Sequence, residues 1–144
     1  MTVLRPQPPG IPVPQPSLVS APFWEGCLVG ELRFQRCRGC AAAVFQPSTV
    51  CSRCIGRDLR WEVSGGRGRL YSWTVVWRPQ TPAFRTPYAP AIVELDEGFP
   101  LLTSIVDCRP VDLREGMRVE VVFHPAGDGV VLPYFRPSDE PAPA

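Results

Sequence analysis

Two closely spaced pairs of cysteines constrain the fold of this chain more than any other feature. The pairs are Cys37 with Cys40 and Cys51 with Cys54, and ten residues separate the second cysteine from the third. A turn that leaves two residues between its cysteines brings both thiolates within reach of one ion, and two facing turns complete the tetrahedron that Zn²⁺ prefers. The spacing therefore predicts one structural zinc ion, held by all four cysteines in a small ribbon.

Iron and disulfides are the alternatives for the same cysteines. A rubredoxin-like iron site uses the same four thiolates, and disulfides need an oxidising compartment, of which the sequence shows no sign. Four thiolates around one ion leave no position for a catalytic water, so the metal is expected to stabilise the ribbon and not to react. Gly39 and Gly56 are predicted to supply the unusual backbone angles of the two turns.

Proline marks both ends of the chain. Residues 1–22 contain seven prolines, and three more follow from Pro137 onward. Proline cannot continue a helix or a sheet ladder and favours extended backbone. Residues 1–20 are therefore expected to form a linker or arm, either separated from a longer chain or lying over a partner. Residues 138–144 are expected to be a disordered tail.

Between these ends the pattern predicts one short helix followed by strands. Ser20 and Pro22 suit the first turn of a helix from Pro22 to Val29, and Gly30 suits its end. The strand candidates, separated by glycine and proline turns, are 31–36, 59–63, 69–78, 91–95, 101–107, 118–124 and 130–136. This predicts a mainly β fold, with a helix and zinc ribbon in residues 21–62 and a five-stranded OB-fold Greek-key barrel in residues 63–137.

The charge of the chain argues against two classes of partner. All 15 basic residues are arginine, 14 acidic residues nearly cancel them, and no run of like charge occurs. Nucleic acids and anionic membrane surfaces attract proteins that carry a basic patch or stripe, so neither is expected as a partner. No secretory signal and no apolar stretch of ~20 residues is visible, which predicts a cytoplasmic protein.

Residues of the types used in catalysis are sparse. The one histidine, His124, is expected at the surface near the end of a strand. Cys27 and Cys108 have no neighbouring sign of activation and are expected to be buried apolar groups. No glycine-rich phosphate loop follows a strand. The sequence therefore predicts a chain that is not catalytic alone.

Aromatic residues cluster on one predicted strand and on the loop after it. Tyr71, Trp73 and Trp77 are predicted to share a strand face, with Tyr71 and Trp73 as core or half-buried residues. The following loop is stiffened by prolines and carries two arginines and two aromatic rings, and Arg and Tyr are enriched at interfaces. We expect these four loop residues to face an anionic ligand or a partner surface; they are Arg78, Phe84, Arg85 and Tyr88.

Taken together, several motifs resemble the DUF35 family. They are Pro22-Phe23-Trp24, Gly30-Glu31-Leu32, Arg36-Cys37-x-x-Cys40, Phe45-x-Pro47, Cys51-x-x-Cys54, Gly68-x-x-Tyr71-Ser72-Trp73 and Glu94-Leu95-Asp96-Glu97-Gly98. The resemblance covers residues 21–137, includes all four cysteines and leaves the proline-rich head outside. It implies an OB-fold protein with a rubredoxin-like zinc ribbon, similar to the DUF35 domains of actinobacterial steroid-degrading complexes.

The resemblance implies an accessory role beside another enzyme. DUF35 proteins resemble non-catalytic partners of thiolase-superfamily enzymes, and in some cases of hydratases, that act on CoA thioesters. The implied partner is a thiolase-like aldolase or acyltransferase, with two copies of this chain on a partner dimer and a steroid-CoA as substrate. Phe23 and Trp24 are expected to anchor the partner, and the four loop residues to face its substrate and CoA channel.

Other classes of function fit the same fold. OB barrels bind single-stranded nucleic acids by stacking bases on strand aromatics, although the charge of this chain argues against that function. A rubredoxin-like electron carrier would hold iron in the four-cysteine site. An accessory subunit of an acyl-CoA hydratase or acyltransferase is the remaining alternative.

Overall fold

The fold consists of one short helix, a three-stranded sheet and a closed five-stranded barrel, seen in a computed structural model that describes residues 2–143. Met1 and Ala144, the outermost residues of the predicted arm and tail, lie outside the described residues. The elements are α1 (Ala21–Leu28), β1 (Arg33–Cys37), β2 (Ala43–Val44), β3 (Leu59–Val63), β4 (Arg67–Trp73), β5 (Ala89–Leu95), β6 (Pro100–Ile105), a 3₁₀ turn (Pro110–Asp112), β7 (Arg118–Gly127) and β8 (Val130–Pro137). The predicted mainly β class, with helix, ribbon and barrel, is confirmed.

Helix α1 packs against both the ribbon and the barrel, and it begins and ends one residue before the predicted bounds. Pro22 occupies its first turn, where a missing N–H costs no hydrogen bond. The helix buries Phe23 and Cys27 and packs against β1 and β8. At its end Gly30 adopts a φ of +76°, and its N–H donates to the carbonyl of Cys27 at 3.3 Å. Ser20 begins the helix without the predicted side-chain cap.

The ribbon is the antiparallel sheet β2-β1-β3, and phenylalanine rings join it to the barrel. Phe34 of β1 stacks on Phe99 at 4.8 Å between ring centroids, and Phe99 in turn stacks on Phe45 at 5.3 Å. Phe23 of the helix meets Phe45 edge-on at 5.3 Å. We call these four rings the phenylalanine cluster. Because its members come from the helix, the ribbon and the barrel, it makes one hydrophobic core of all three.

The barrel strands follow the order β4-β5-β6-β8-β7, and pairing of β4 with β7 closes the cylinder. All strand pairs are antiparallel except β6 with β8, which meet at Ile105 and Phe135. Leu70, Val93 and Val119 fill the interior. At Gly68 a side chain would overlap the carbonyl oxygen of Glu94, so the close pairing of β4 with β5 requires glycine there.

Strand β4 is shorter than predicted, and its aromatic residues do not share one face. A register shift between Leu70 and Ser72 interrupts the pairing with β5, and an extra residue of this kind breaks the alternation of faces along a strand. Tyr71 lies at the shift and is 53% exposed, so the expectation of a core or half-buried residue is wrong for it. Trp73 is half-buried, as expected. Trp77 lies beyond the strand and is exposed.

The proline-rich head runs against the barrel. Leu4 is fully buried in the same core as the barrel strands. Its N–H donates to the carbonyl of Cys108 at 2.8 Å, and its carbonyl accepts from the N–H of Asp107 at 2.8 Å. Leu4 therefore ties the head to the segment after β6 as a neighbouring strand would.

We expect Leu4→Ala to lower the free energy of unfolding by about 2–4 kcal/mol, because it removes buried methyl groups and leaves a cavity. Urea denaturation followed by far-ultraviolet circular dichroism measures the change. The matched control is Leu18→Ala, because Leu18 belongs to the same head and is 97% exposed. Equal stability of the two variants would contradict the packing of the head.

An ion pair joins the turn after β5 to β7. The guanidinium of Arg118 donates to both carboxylate oxygens of Asp96, at 2.9 and 2.7 Å. The two side chains are 16% and 28% exposed. Hydrogen bonding from Arg118 lowers the pKa of the Asp96 carboxyl.

The contribution of this pair to stability depends on pH. A carboxyl whose pKa is lowered by folding stabilises the protein above its unfolded pKa of ~3.9 and ceases to do so as pH falls through the lower folded value. We expect Asp96→Asn to cost on the order of 1 kcal/mol at neutral pH and less with increasing acidity. Asp139→Asn, at an exposed position, is the control in urea denaturation at several pH values. A cost that stays constant down to strong acid would refute the pairing.

Candidate metal centre and the adjoining apolar groove

Two similar turns present the four cysteines. In the first turn the N–H of Ala41 donates to the carbonyl of Cys37 at 2.8 Å, and in the second the N–H of Ile55 donates to the carbonyl of Cys51 at 3.0 Å. Ala41 and Ile55 have φ of +62° and +65°, the left-handed region that L residues seldom adopt. Each is the residue directly after the second cysteine of its pair, so both pairs use the same turn geometry.

The prediction that Gly39 and Gly56 supply these unusual angles is wrong. Neither glycine lies in the left-handed region. A methyl group on Gly56 would lie 3.1 Å from the sulfur of Cys54, and one on Gly39 would lie 3.6 Å from the sulfur of Cys37. Glycine at position 56 therefore leaves room beside a sulfur, and Gly39 needs no unusual angle.

The four sulfurs fit a tetrahedral metal site. All lie within 4.8 Å of one another, with 3.5 Å between Cys37 and Cys54 and 3.7 Å between Cys40 and Cys51. A tetrahedron with metal–sulfur bonds of ~2.3 Å has edges of about 3.8 Å, close to these distances. The six cysteines in the described part of the chain are all free, so none of the four is in a disulfide. The donor set therefore suits one ion.

Electrostatics at the centre favour a bound cation. Backbone amides of Cys54 and Arg53 lower the pKa of the Cys51 thiol to about 6, so this sulfur is readily a thiolate. At Cys54 the amide of Gly56 acts in the same direction, but the sulfurs of Cys37 and Cys40 outweigh it and raise the pKa to about 12. Four crowded sulfurs cannot all ionise without a positive charge among them, and a divalent metal supplies that charge.

The packing around the centre is thin. Val44 is buried beside Cys37 and Cys51, and Ala42 and Leu59 are partly buried against them. This group is separate from the main core. With so few apolar side chains, the ribbon tip has little packing of its own, and a metal held by the four cysteines would supply the stability that this packing lacks.

Four of the sequence-predicted site residues border one apolar groove of about 630 Å³. They are Phe23 and Trp24 of the helix and Phe84 and Tyr88 of the loop before β5. Phe23 is only 4% exposed and belongs to the phenylalanine cluster, whereas Trp24 is half-buried. Phe84 and Tyr88 stack on each other at 5.7 Å.

The predicted arginines lie elsewhere. Arg78 and Arg85 are exposed and do not line the groove. The groove lies where the helix, ribbon, loop and barrel meet, and we refer to it below as the apolar groove.

Most residues of the groove wall were not predicted from the sequence. Three further segments line the groove, residues 45–47 after β2, 101–104 of β6 and 132–134 of β8, together with Gln7 of the head. Phe45 and Pro47 stand in a motif of the family resemblance, which was the one available signal. The β6 and β8 residues give none, because strand residues show the same sequence pattern whether or not they border a cavity.

The remaining candidates for chemistry are inert or structural. Burial raises the pKa of the Cys27 and Cys108 thiols to about 11, so both stay protonated near neutral pH. Cys27 is buried as expected and Cys108 half-buried. His124 is half-buried in β7 and meets the ring of Tyr134 edge-on at 5.6 Å. No helix within residues 2–143 has the length and apolar character needed to cross a membrane.

Fold and site together define a zinc-ribbon protein with an OB-fold barrel, and family models match both parts. Residues 24–60 match the model described as "ChsH2, rubredoxin-like zinc ribbon domain", and residues 61–124 match "ChsH2, C-terminal OB-fold domain". A "DUF35 domain-containing scaffold protein" of Methanocaldococcus jannaschii is 35% identical over 77% of this chain and 82% of its own length. The chain belongs to the DUF35 family.

Other relatives are parts of larger enzymes or complexes. A "Probable enoyl-CoA hydratase alpha subunit" of Thermomonospora curvata is 36% identical over 81% of this chain. A "3-oxo-4,17-pregnadiene-20-carboxyl-CoA hydratase alpha subunit" of Mycobacterium tuberculosis is 31% identical over 76% of it. The chain spans 37% and 35% of the length of these two subunits. The solved structure "Ltp2-ChsH2(DUF35) aldolase" matches with a TM-score of 0.80 and 34% identity, over 87% of this chain and 98% of that chain.

We expect the purified protein to carry one metal ion per chain and Cys51→Ser to lose most of it, because the variant removes a buried ligand whose thiolate form the backbone favours. Metal analysis by mass spectrometry after gel filtration measures the content. Cys108→Ser is the matched control, since Cys108 lies outside the centre. A Cys51→Ser variant with full metal content would contradict the four-cysteine site.

Proposed function

We propose that this protein is a non-catalytic subunit that binds a thiolase-type enzyme and completes its site for an acyl-CoA substrate. The single observation that carries the proposal is the match, at a TM-score of 0.80 over nearly the whole of that chain, to the structure titled "Ltp2-ChsH2(DUF35) aldolase". The leading reaction is the (retro-)aldol cleavage of a steroid-CoA side chain by the partner in the cytoplasm. The name of the Mycobacterium tuberculosis relative, which contains a pregnadiene-carboxyl-CoA, supports a steroid substrate.

The chemistry of the apolar groove supports the accessory role. Its polar groups are hydroxyls and amides, as in Ser20, Gln46 and Thr103, and no carboxylate, thiol, imidazole or guanidinium of the described residues lines it. Hydroxyls such as those of Ser20, Thr103 and Tyr88 act as nucleophiles or general acids only when an adjacent base or charged group activates them, and the groove lining supplies none. A groove of this composition suits the apolar part of a ligand whose reacting atoms lie in the partner.

Exposed apolar side chains beside the groove support docking of a partner. Leu102 of β6 lines the groove and is 74% exposed, and Leu28 and Val29 at the end of the helix are 56% and 64% exposed. Side chains of this kind at the edge of a groove gain free energy when a partner removes them from water. Trp24 lines the groove together with Leu102 and a smaller neighbouring pocket together with Leu28, so it belongs to both parts of the proposed interface.

In the same proposal the two loop arginines bind the anionic part of the ligand. Arg78 and Arg85 are exposed on the loop that brings Phe84 and Tyr88 to the groove. Arginine binds phosphate groups well, so these two side chains suit the anionic part of a CoA thioester whose apolar part enters the groove. Two copies of the chain on a symmetric partner dimer complete the proposed assembly.

The metal in this proposal is zinc, with a structural role. Zinc accepts four thiolates in a closed tetrahedron. Such a metal crosslink would stabilise the ribbon tip, whose own hydrophobic core is small. A colourless protein with one zinc per chain supports this, whereas visible absorbance from thiolate–iron charge transfer would indicate the electron-carrier alternative.

A second candidate is an accessory domain of an acyl-CoA hydratase. The observation in its favour is 36% identity to a hydratase alpha subunit, of which the chain spans 37%. The two candidates differ in the partner, which is a hydratase-type protein in one case and a thiolase-type protein in the other.

Identification of the stoichiometric partner separates these candidates. We expect affinity purification from the native extract, followed by mass spectrometry, to recover a thiolase-type protein. That protein alone should lack full acyl-CoA cleavage activity and regain it when this chain is added. Full activity of the partner alone would refute the accessory role.

We expect Leu102→Glu to weaken binding of that partner at least about tenfold, because it places a charge where the interface is apolar. Val111→Glu is the matched control, because Val111 is 75% exposed, nearly the same as Leu102, but lies on the 3₁₀ turn away from the groove. Isothermal titration calorimetry measures both affinities. If the two variants bind equally well, the partner does not dock at the groove.

A further inference from the structure

The loop that forms one wall of the apolar groove has few attachments of its own. At its base, Val76 and Tyr88 exchange two backbone hydrogen bonds of 2.8 and 3.2 Å. Farther out, Phe84 and Ala83 donate only to Thr81, within the loop itself. Among the described residues, every hydrogen bond that leads from residues 77–87 to a distant part of the chain ends on Gln7.

Gln7 holds the loop through both ends of its side-chain amide. Its Nε2 donates to the carbonyl oxygen of Arg85 at 2.9 Å, and its Oε1 accepts from the N–H of Arg85 at 2.7 Å. This reproduces with one side chain the pair of hydrogen bonds that a neighbouring strand would make. The residues are 78 positions apart in the sequence.

Gln7 is in turn fixed to the barrel through its main chain. Its N–H donates to the hydroxyl of Tyr134 at 3.1 Å, and Tyr134 is a buried residue of β8 that also lines the groove. Three residues earlier, Leu4 is fully buried and paired with Asp107 and Cys108. The head therefore has two anchors on the barrel, and the Gln7 side chain reaches from the second anchor to the loop.

We propose that residues 4–7 are a strap that holds the loop of residues 77–87 against the barrel, with Gln7 as the positioning residue for Phe84, which stacks on Tyr88 in the groove wall. The strap lies before residue 24, where the matched family models begin, so neither model assigns it a role. This role of the strap goes beyond the proposed function, because it determines the shape of the chain's own groove and does not depend on the identity of the partner.

Hydrogen exchange of the full-length protein, measured residue by residue by nuclear magnetic resonance, tests the strap. We expect Gln7→Ala to raise the exchange rate of the Arg85 amide roughly tenfold or more, because that N–H loses its acceptor and the loop is released. Amides of β5 and β7 should keep their rates, since the barrel does not depend on Gln7. Gln15→Ala is the matched control, because Gln15 is an exposed glutamine of the same head.

A second variant separates the two hydrogen bonds. Gln7→Glu keeps an oxygen that accepts from the Arg85 N–H but loses the N–H that donates to the Arg85 carbonyl. In this variant the exchange rate of the Arg85 amide should lie between its rates in the wild type and in Gln7→Ala. An unchanged Arg85 rate in Gln7→Ala would overturn the proposal. A rise shared by the whole barrel would overturn it too, since Gln7 would then be a general stabiliser. Partner binding does not enter these measurements, so either result leaves the proposed function open to its own test.

Discussion

The contact among four phenylalanine rings is the interaction on which the rest of the structure depends. Phe99 belongs to the barrel, Phe34 and Phe45 to the ribbon and Phe23 to the helix, with neighbouring centroids 4.8 to 5.3 Å apart. Aromatic pairs at such distances gain attraction beyond the burial of their area. Because the groove is built from all three parts, its shape follows from how these rings fix the ribbon and the helix on the barrel.

The metal centre and this aromatic contact perform complementary tasks. The two cysteine turns bring β1 and β3 together at the ribbon tip, where few apolar side chains are available. Phe45 follows directly on β2 and reaches both Phe23 and Phe99. The cysteine turns thus set the path of the ribbon, and the rings transmit that path to the groove. In the proposed assembly the metal acts on the reaction through shape and not through chemistry.

Local features of the fold were predictable from the sequence, whereas contacts between distant segments were not. The spacing of the cysteines predicts the ligand set, Gly30 predicts the end of the helix, and five segments of alternating polarity predict the barrel strands. Each of these features depends on residues that are close in the sequence. The side chain of Gln7 meets Arg85 across 78 positions, and no periodicity encodes such a pair. The cysteine turns show a further limit, since Ala41 and Ile55 adopt the left-handed angles that the glycine rule assigns to Gly39 and Gly56.

Closure of the barrel also determines how another protein can recognise it. Pairing of β4 with β7 closes the ring of five barrel strands, but β6 and β8 pair only at Ile105 and Phe135. Before that contact, residues 101–104 of β6 and 132–134 of β8 line the apolar groove, so the least paired part of the barrel is also the part that a ligand or partner can reach. A partner that covers the groove would therefore also cover the strand edges most open to edge-to-edge aggregation, so binding and protection from aggregation would occur at the same surface.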